Sequence, residues 1–230
     1  MLKKFLCSSL CLIAVSFLLS ACQGITKKAA LPMQKNASQA SNINVKTRST
    51  SYIYFSPMSL EERTVYIAIK NDADNVDFNL RPWLVQSLEQ KSFRVVDHID
   101  EANIVLRANL LRVGKVNPND IEELLDSEFG NSTQILSPAL EQDKHQYDGV
   151  VIDLQYFARK HLRQAHQNIP RLSMEHLSDV QLLLICNSAQ WERFQARIVA
   201  IAMDRSSSHE KVYAALGEAI TQANTGMIKP

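Results

Sequence analysis

Ala102-Asn103-Ile104-Val105-Leu106-Arg107-Ala108-Asn109-Leu110-Leu111-Arg112-Val113 is the stretch on which the reading of the fold turns. Side chains of an extended chain alternate between two faces. Ile104, Leu106, Ala108 and Leu110 therefore share one face, and Arg107, Asn109 and Leu111 the other. No Gly or Pro interrupts the run, and it predicts the clearest strand of the chain. Just upstream, Phe93–Val96 predicts a short strand and His98–Glu101 a turn. Asp77–Lys91 reads as a helix, with Leu80, Trp83, Leu84, Ser87 and Leu88 at helical spacing. Pro82 fits only the first turn, because its ring removes a donor and crowds the preceding carbonyl, so the helix is expected to begin near Asn79. Thr64–Lys70 alternates Val65, Ile67 and Ile69 against Tyr66, Ala68 and Lys70, a half-buried strand. Residues 43–55 are also rich in strand formers, and Ser56-Pro57 ends that run.

Downstream the pattern changes between Gly114 and Met174, where Pro118, Gly130, Pro138 and Gly149 interrupt it. Ile121–Phe129 predicts a short acidic helix. Tyr147–His166 reads as an amphipathic helix, with Val150, Val151, Leu154, Phe157, Ala158, His161, Leu162 and Ala165 recurring at three and four. Two roles suit such a helix. Its apolar face packs on its own domain or on a neighbouring subunit, or Arg159, Lys160 and Arg163 hold it against anionic headgroups. Ser178–Cys186 reads as a strand apolar on both faces. Arg193–Met203 alternates Phe194, Ala196, Ile198, Ala200 and Ala202 against Gln195, Arg197 and Val199, and Asn187–Glu192 joins the two as a hairpin. Ser207 or Ser208 caps a last helix whose stripe is Val212, Leu216, Ala219, Ile220 and Ala223, with Gly226 and Pro230 ending it. The expected fold is α+β. An antiparallel sheet from two β–β pairs packs with two helices, and a helical insertion lies between strands four and five. In residue terms, 43–113 and 178–228 make the α+β domain and 114–177 the insertion.

The amino terminus speaks of export. Lys3 and Lys4 precede an uncharged apolar run from Phe5 to Leu19, and the small residues of Leu19-Ser20-Ala21-Cys22 follow. That order is a secretory signal, too short for a comfortable membrane span of about 20 residues. Leu-Ser-Ala-Cys looks like a bacterial lipobox. The expectation is a signal peptide over 1–21, a lipidated Cys22 (N-palmitoyl and S-diacylglycerol cysteine) and a flexible tether over 22–42. Several acyl chains hold where one binds only reversibly. Gln23 resembles the pattern of lipoproteins sent to the outer membrane.

Composition narrows the function classes. The whole chain carries 25 basic and 24 acidic residues, and without Lys3 and Lys4 the mature part is close to neutral, so no nucleic-acid partner is expected. Cys7 and Cys11 leave with the signal and Cys22 takes lipid. Cys186 is then the one remaining thiol and reads as a small buried hydrophobe. His145, His161, His166 and His176 lie in the insertion, but His161 and His166 are five apart and do not share a helical face, so no metal site is expected. Asp100-Glu101 and the group Glu122, Glu123, Asp126 and Glu128 read as solvated carboxylates. With no Gly-x-Ser-x-Gly, P-loop or dinucleotide fingerprint and only six Gly, no cofactor and no enzymatic activity are expected.

An ordered series of short blocks carries a family resemblance. Val45-Lys46-Thr47, Glu62-Arg63-Thr64-Val65, Ile69-Lys70-Asn71, Phe93-Arg94-Val95-Val96 and Ala102-Asn103 leading to Ala108-Asn109-Leu110-Leu111 resemble the TraT family. Ser178-Asp179-Val180-Gln181 and Phe194-Gln195-Ala196-Arg197-Ile198-Val199-Ala200 are similar to its carboxy-terminal part. The resemblance implies a non-enzymatic outer-membrane lipoprotein, anchored at Cys22, that acts in surface exclusion of conjugation and in complement resistance. It implies a homo-oligomer, with mating-pair surface components or complement components as partners. TraT proteins carry a Gly/Ala-rich apolar segment in the middle. Here the polar, His-bearing 114–176 replaces it. A periplasm-facing structural or assembly lipoprotein without exclusion activity is the second reading.

Overall fold

The computed structural model describes residues 34–37, 43–73, 77–130, 146–160 and 178–229. Its strands are β1 (Gln34–Ala37), β2 (Asn44–Ser49), β3 (Ile53–Tyr54), β4 (Thr64–Asn71), β5 (Arg94–Val96), β6 (Ile104–Val116), β7 (Tyr147–Arg159), β8 (Trp191–Ala202) and β9 (Ile228–Lys229). Its helices are α1 (Arg81–Glu89), α2 (Ile121–Asp126), α3 (Asp179–Cys186) and α4 (His209–Met227). One seven-stranded sheet runs β1-β2-β8-β7-β6-β4-β5, and β3 pairs with β9 beside it.

The α+β class holds, but the sheet is mixed and not antiparallel. β4 runs parallel to both β5 and β6, while β1–β2, β2–β8, β6–β7 and β7–β8 are antiparallel. The cause is α1. A helix between two strands carries the chain back to the end it left, so the next strand must run the same way. Pro82 sits in the first turn of α1, where its missing N–H costs nothing.

The alternations at β4, β6 and β8 translate into one buried face. Val65 and Ile67, Ile104, Leu106, Ala108 and Leu110, and Ala196, Ile198, Ala200 and Ala202 join a single apolar core beneath α1 and α4. Val212, Leu216, Ala219, Ile220 and Ala223 of α4 close it from above. Each fully buried Leu or Ile contributes roughly 1.5–3 kcal/mol. Gly217 lies against the indole of Trp83 so closely that a Cβ there would collide with the ring. The helix continues through Gly226 to Met227 and does not stop at the glycine.

Two elements differ from the expectation. Tyr147–Arg159, the first part of the expected amphipathic helix, is the strand β7 at the centre of the sheet. Every residue from Asp148 to Ala158 is buried. A strand covered on both faces needs apolar residues on both, so its alternation vanishes and three-four spacings arise by chance. Both helix roles weighed for residues 147–159 fall with it, and the described residues of 114–177 hold the short helix α2 and a central strand of the sheet. Asp179–Cys186 is the helix α3 and not a strand, and no hairpin joins it to β8. Ser178 accepts from the Gln181 backbone N–H while Gln181 accepts from the Ser178 backbone, a capping box that fixes the helix start. The strand β1 also falls within the stretch that reads as tether, pairing Gln34 with Thr47 and Ala37 with Asn44.

Candidate functional site

The second face of the sheet is covered at its two ends and polar between them. At one end Ile121, Leu124 and Leu125 of α2 pack on Leu111, Val151, Val199 and Ile201. At the other, Leu182 and Cys186 of α3 pack on Val105, Phe157 and Trp191. Between them the register aligns two polar rows across β4, β6, β7 and β8. Lys70, Asn109, Asp153 and Arg197 form one, and Ala68, Arg107, Gln155 and Gln195 the next.

The first row is the most polar buried place among the described residues. Arg197 and Asp153 are each 1% exposed. Arg197 Nε donates to Asp153 Oδ1 at 2.5 Å and Nη2 donates to Oδ2 at 2.8 Å. Nη1 donates to the carbonyls of Leu124 at 2.8 Å and Ser127 at 3.0 Å, and to the Ser127 hydroxyl. Nη2 also reaches the Glu128 carbonyl at 3.0 Å, and the guanidinium lies 5.8 Å from the centre of the Phe129 ring. The Gly130 N–H donates to Asp153 Oδ2 at 2.6 Å. The guanidinium therefore serves the carbonyls left open where α2 ends, a place that favours positive charge. Towards the sheet edge Asn109 Nδ2 donates to Asp72 Oδ2 at 2.9 Å, and Lys70 Nζ meets the same oxygen at 2.8 Å. In the second row Arg107 Nη1 donates to Gln155 Oε1 at 3.0 Å.

This chemistry ties elements together. Arg197 uses its donors on fixed acceptors, and Asp153 is held by three N–H groups, so neither is free to move a proton to a substrate. At the α3 end, burial pushes the Cys186 thiol up to about 12 despite the nearby Arg159 charge. Burial also lowers Arg159, offset in part by Asp100, and its guanidinium stacks 5.1 Å over Trp191. Under α4, burial raises the Tyr156 phenol, whose hydroxyl donates to Asn224 Oδ1 at 2.6 Å, while Asn224 Nδ2 donates to Ser87 Oγ at 2.7 Å.

The expected sites stand as follows. Cys22 and His145, His161, His166 and His176 lie outside the described residues. No group of three or more His, Cys, Asp or Glu suited to a metal ion stands among the described residues. Cys186 is buried, as its apolar surroundings imply, although in a helix. The carboxylates of α2 do not meet; Glu122 instead pairs with Arg48 of β2 at 2.8 Å. Asp153 and Arg197 were not singled out by sequence reasoning. Their signal is a single charge inside an apolar run, Val150-Val151-Ile152-Asp153-Leu154 for one and Ala196-Arg197-Ile198 for the other.

Comparison with known proteins places these elements. The family model described as Enterobacterial TraT complement resistance protein matches residues 42–152. That range runs from β2 through α1, β4, β5, β6 and α2 into the first half of β7. It ends next to Asp153, and the carboxy-terminal resemblance at Ser178–Ala200 lies beyond it. A "TraT complement resistance protein" of Wigglesworthia glossinidia brevipalpis is 29% identical over 84 residues, 36% of this chain and 34% of that protein. One of Escherichia coli (strain K12) is 33% identical over 75 residues, 33% of this chain and 30% of that protein. The matched stretch thus spans about a third of the length of these curated relatives. The resemblance read from Val45 to Leu111 lies within the residues that the TraT family model matches, and the curated relatives to which this chain is similar carry the same family name.

Proposed function

We propose that this chain is a TraT-type envelope lipoprotein, exported, lipidated at Cys22 and held at the outer membrane, acting without catalysis in surface exclusion of conjugation, complement resistance or both. The observation that carries the proposal is the family match over residues 42–152. The lipobox Leu19–Cys22 supports the anchor, and the fully engaged Asp153–Arg197 pair supports a binding rather than a catalytic body. Its partners are the outer membrane, further copies of the chain, and mating-pair or complement components.

The experiment is a mating assay with and without the protein in the recipient, run beside a serum-survival assay. Lower transfer into the expressing recipient, or greater survival, is expected. Unchanged values in both remove the proposal. Globomycin, which blocks lipoprotein signal cleavage, is expected to accumulate the unprocessed precursor, and normal processing in its presence removes the lipid anchor.

The second reading, a periplasm-facing structural or assembly lipoprotein, is favoured by the six glycines of the chain, too few for a Gly/Ala-rich middle segment. Protease treatment of intact cells separates the two: a surface form is cut and a periplasmic one survives.

A further inference from the structure

Six large hydrophobic side chains are exposed among the described residues: Tyr52, Tyr54, Leu60, Ile69, Val180 and Leu184. Five of them gather at one end of the sheet. That end is where β4, β5, β6 and β8 begin and β7 finishes, as the pairings Thr64↔Arg94, Ile104↔Ala158 and Ala158↔Glu192 show. Tyr52, Tyr54 and Leu60 lie on the segment leading from β2 into β4, fastened there by the Phe55 N–H donating to the Lys229 carbonyl at 3.3 Å and by Arg94 N–H donating to the Arg63 carbonyl at 2.8 Å. Val180 and Leu184 are one turn apart on α3, which leads into the start of β8. Tyr54 is 64% and Leu184 71% exposed. The tyrosines stand on the layer of the main core, where Phe55 packs on Tyr156, and α3 stands on the other layer. Apolar side chains on both layers at one sheet end are what a plane laid across that end would meet.

The path of the chain says which plane. Gln34 of β1 pairs with Thr47 of β2, at the end of β2 from which the chain continues to Tyr52. Twelve positions separate Cys22 from Gln34. At ~3.5 Å per residue even a fully extended connection keeps Gln34 within about 40 Å of the lipidated residue. The chemistry also suits headgroups. Tyr52 and Tyr54 meet edge to face, 6.3 Å apart, and Lys229 sits 5.1 Å over the Tyr52 ring, with its charge at the rim. Tyrosines with an apolar body and a polar tip, flanked by a long cationic side chain, favour the membrane–water interface. No helix among the described residues is long and apolar enough to cross a membrane.

We infer that the sheet end bearing Tyr52, Tyr54, Leu60, Val180 and Leu184 rests on the lipid bilayer that holds Cys22, which sets the opposite end, with Ile69 and Lys70, away from the membrane. The inference rests on the lipid-anchor reading above. Hydrogen exchange of the full lipidated chain in phosphatidylethanolamine/phosphatidylglycerol vesicles tests it against the same chain carrying Cys22→Ser in solution. Mass analysis of the amino-terminal peptide reads the lipid in the same sample. The expected result is slower exchange at 52–60 and 180–186 in vesicles, no change at 69–72, and loss of the difference in the doubly substituted Tyr54→Ser, Leu184→Ser chain. A lipidated chain with no difference at either segment overturns the docking and leaves the anchor standing. Protection that grows with the protein-to-lipid ratio also overturns it, in favour of contact between copies. A Cys22 without lipid overturns both.

Discussion

Arg197 of β8 and Asp153 of β7 face each other at the centre of the sheet and bond at two points, 2.5 Å and 2.8 Å, with almost no solvent access. Because Arg197 also holds the carbonyls of Leu124, Ser127 and Glu128, this pair fixes the segment after α2 to the sheet. Removing one partner leaves the other charged and buried, which costs about 3–5 kcal/mol, whereas replacing both by apolar groups costs far less. Arg197→Met or Asp153→Ala is therefore expected to lower the urea midpoint sharply. The double change Asp153→Leu, Arg197→Met should be much less harmful than the sum of the single changes. Simple additivity would show that the two charges act independently.

Tyr156 predicts an alkaline effect. Burial raises its phenol above the ordinary value of 10.0, so the folded chain keeps a proton that the unfolded chain releases. A group whose folded value is raised stabilises fully below the unfolded value and loses that contribution as pH rises above it. Stability should therefore fall with pH from about 10 upwards. Tyr156→Phe is expected to cost roughly 1–2 kcal/mol at neutral pH by leaving the buried Asn224 Oδ1 without the phenol donor, and to flatten the alkaline fall. Urea unfolding at stepped pH values measures both.

Gly217 predicts a reversal of the usual rule. Alanine in a helix interior normally stabilises relative to glycine by about 0.5–1 kcal/mol. Here the added methyl would enter the Trp83 ring. Gly217→Ala is expected to destabilise by roughly 1–3 kcal/mol through overpacking, and Trp83→Leu in the same chain should recover part of the loss. A melting point raised by Gly217→Ala alone would contradict the packing of α1 on α4.

Cys186 predicts thiol silence. It is 3% exposed, and its thiol is pushed up to about 12, so the thiolate that reacts is scarce at neutral pH. Iodoacetamide at pH 8 should leave Cys186 unmodified in the folded chain and alkylate it in urea. Rapid labelling of the native chain would show that α3 opens from the sheet.

The contrast between β6 and β7 explains what was legible. β6 has one wholly apolar face under α1 and α4, so Ile104, Leu106, Ala108 and Leu110 announce it. β7 is buried on both, with Val150, Ile152 and Leu154 in the main core and Val151 and Phe157 beneath α2 and α3, and its period is lost. α3 failed for a related reason. Val180-Gln181-Leu182-Leu183-Leu184-Ile185-Cys186 is apolar all round, and only Ser178 with Gln181 three places on marks a helix start.

The sequence by itself determined the elements with one continuous apolar face turned to the main core, β4, β6, β8, α1 and α4, together with the TraT resemblance inside residues 42–152, because such a face writes a period into the chain. The tertiary structure alone decided the mixed sheet, the strand nature of 147–159 and the meeting of Asp153 with Arg197. Those depend on strand direction and register between segments far apart in the chain, and a local pattern does not carry register.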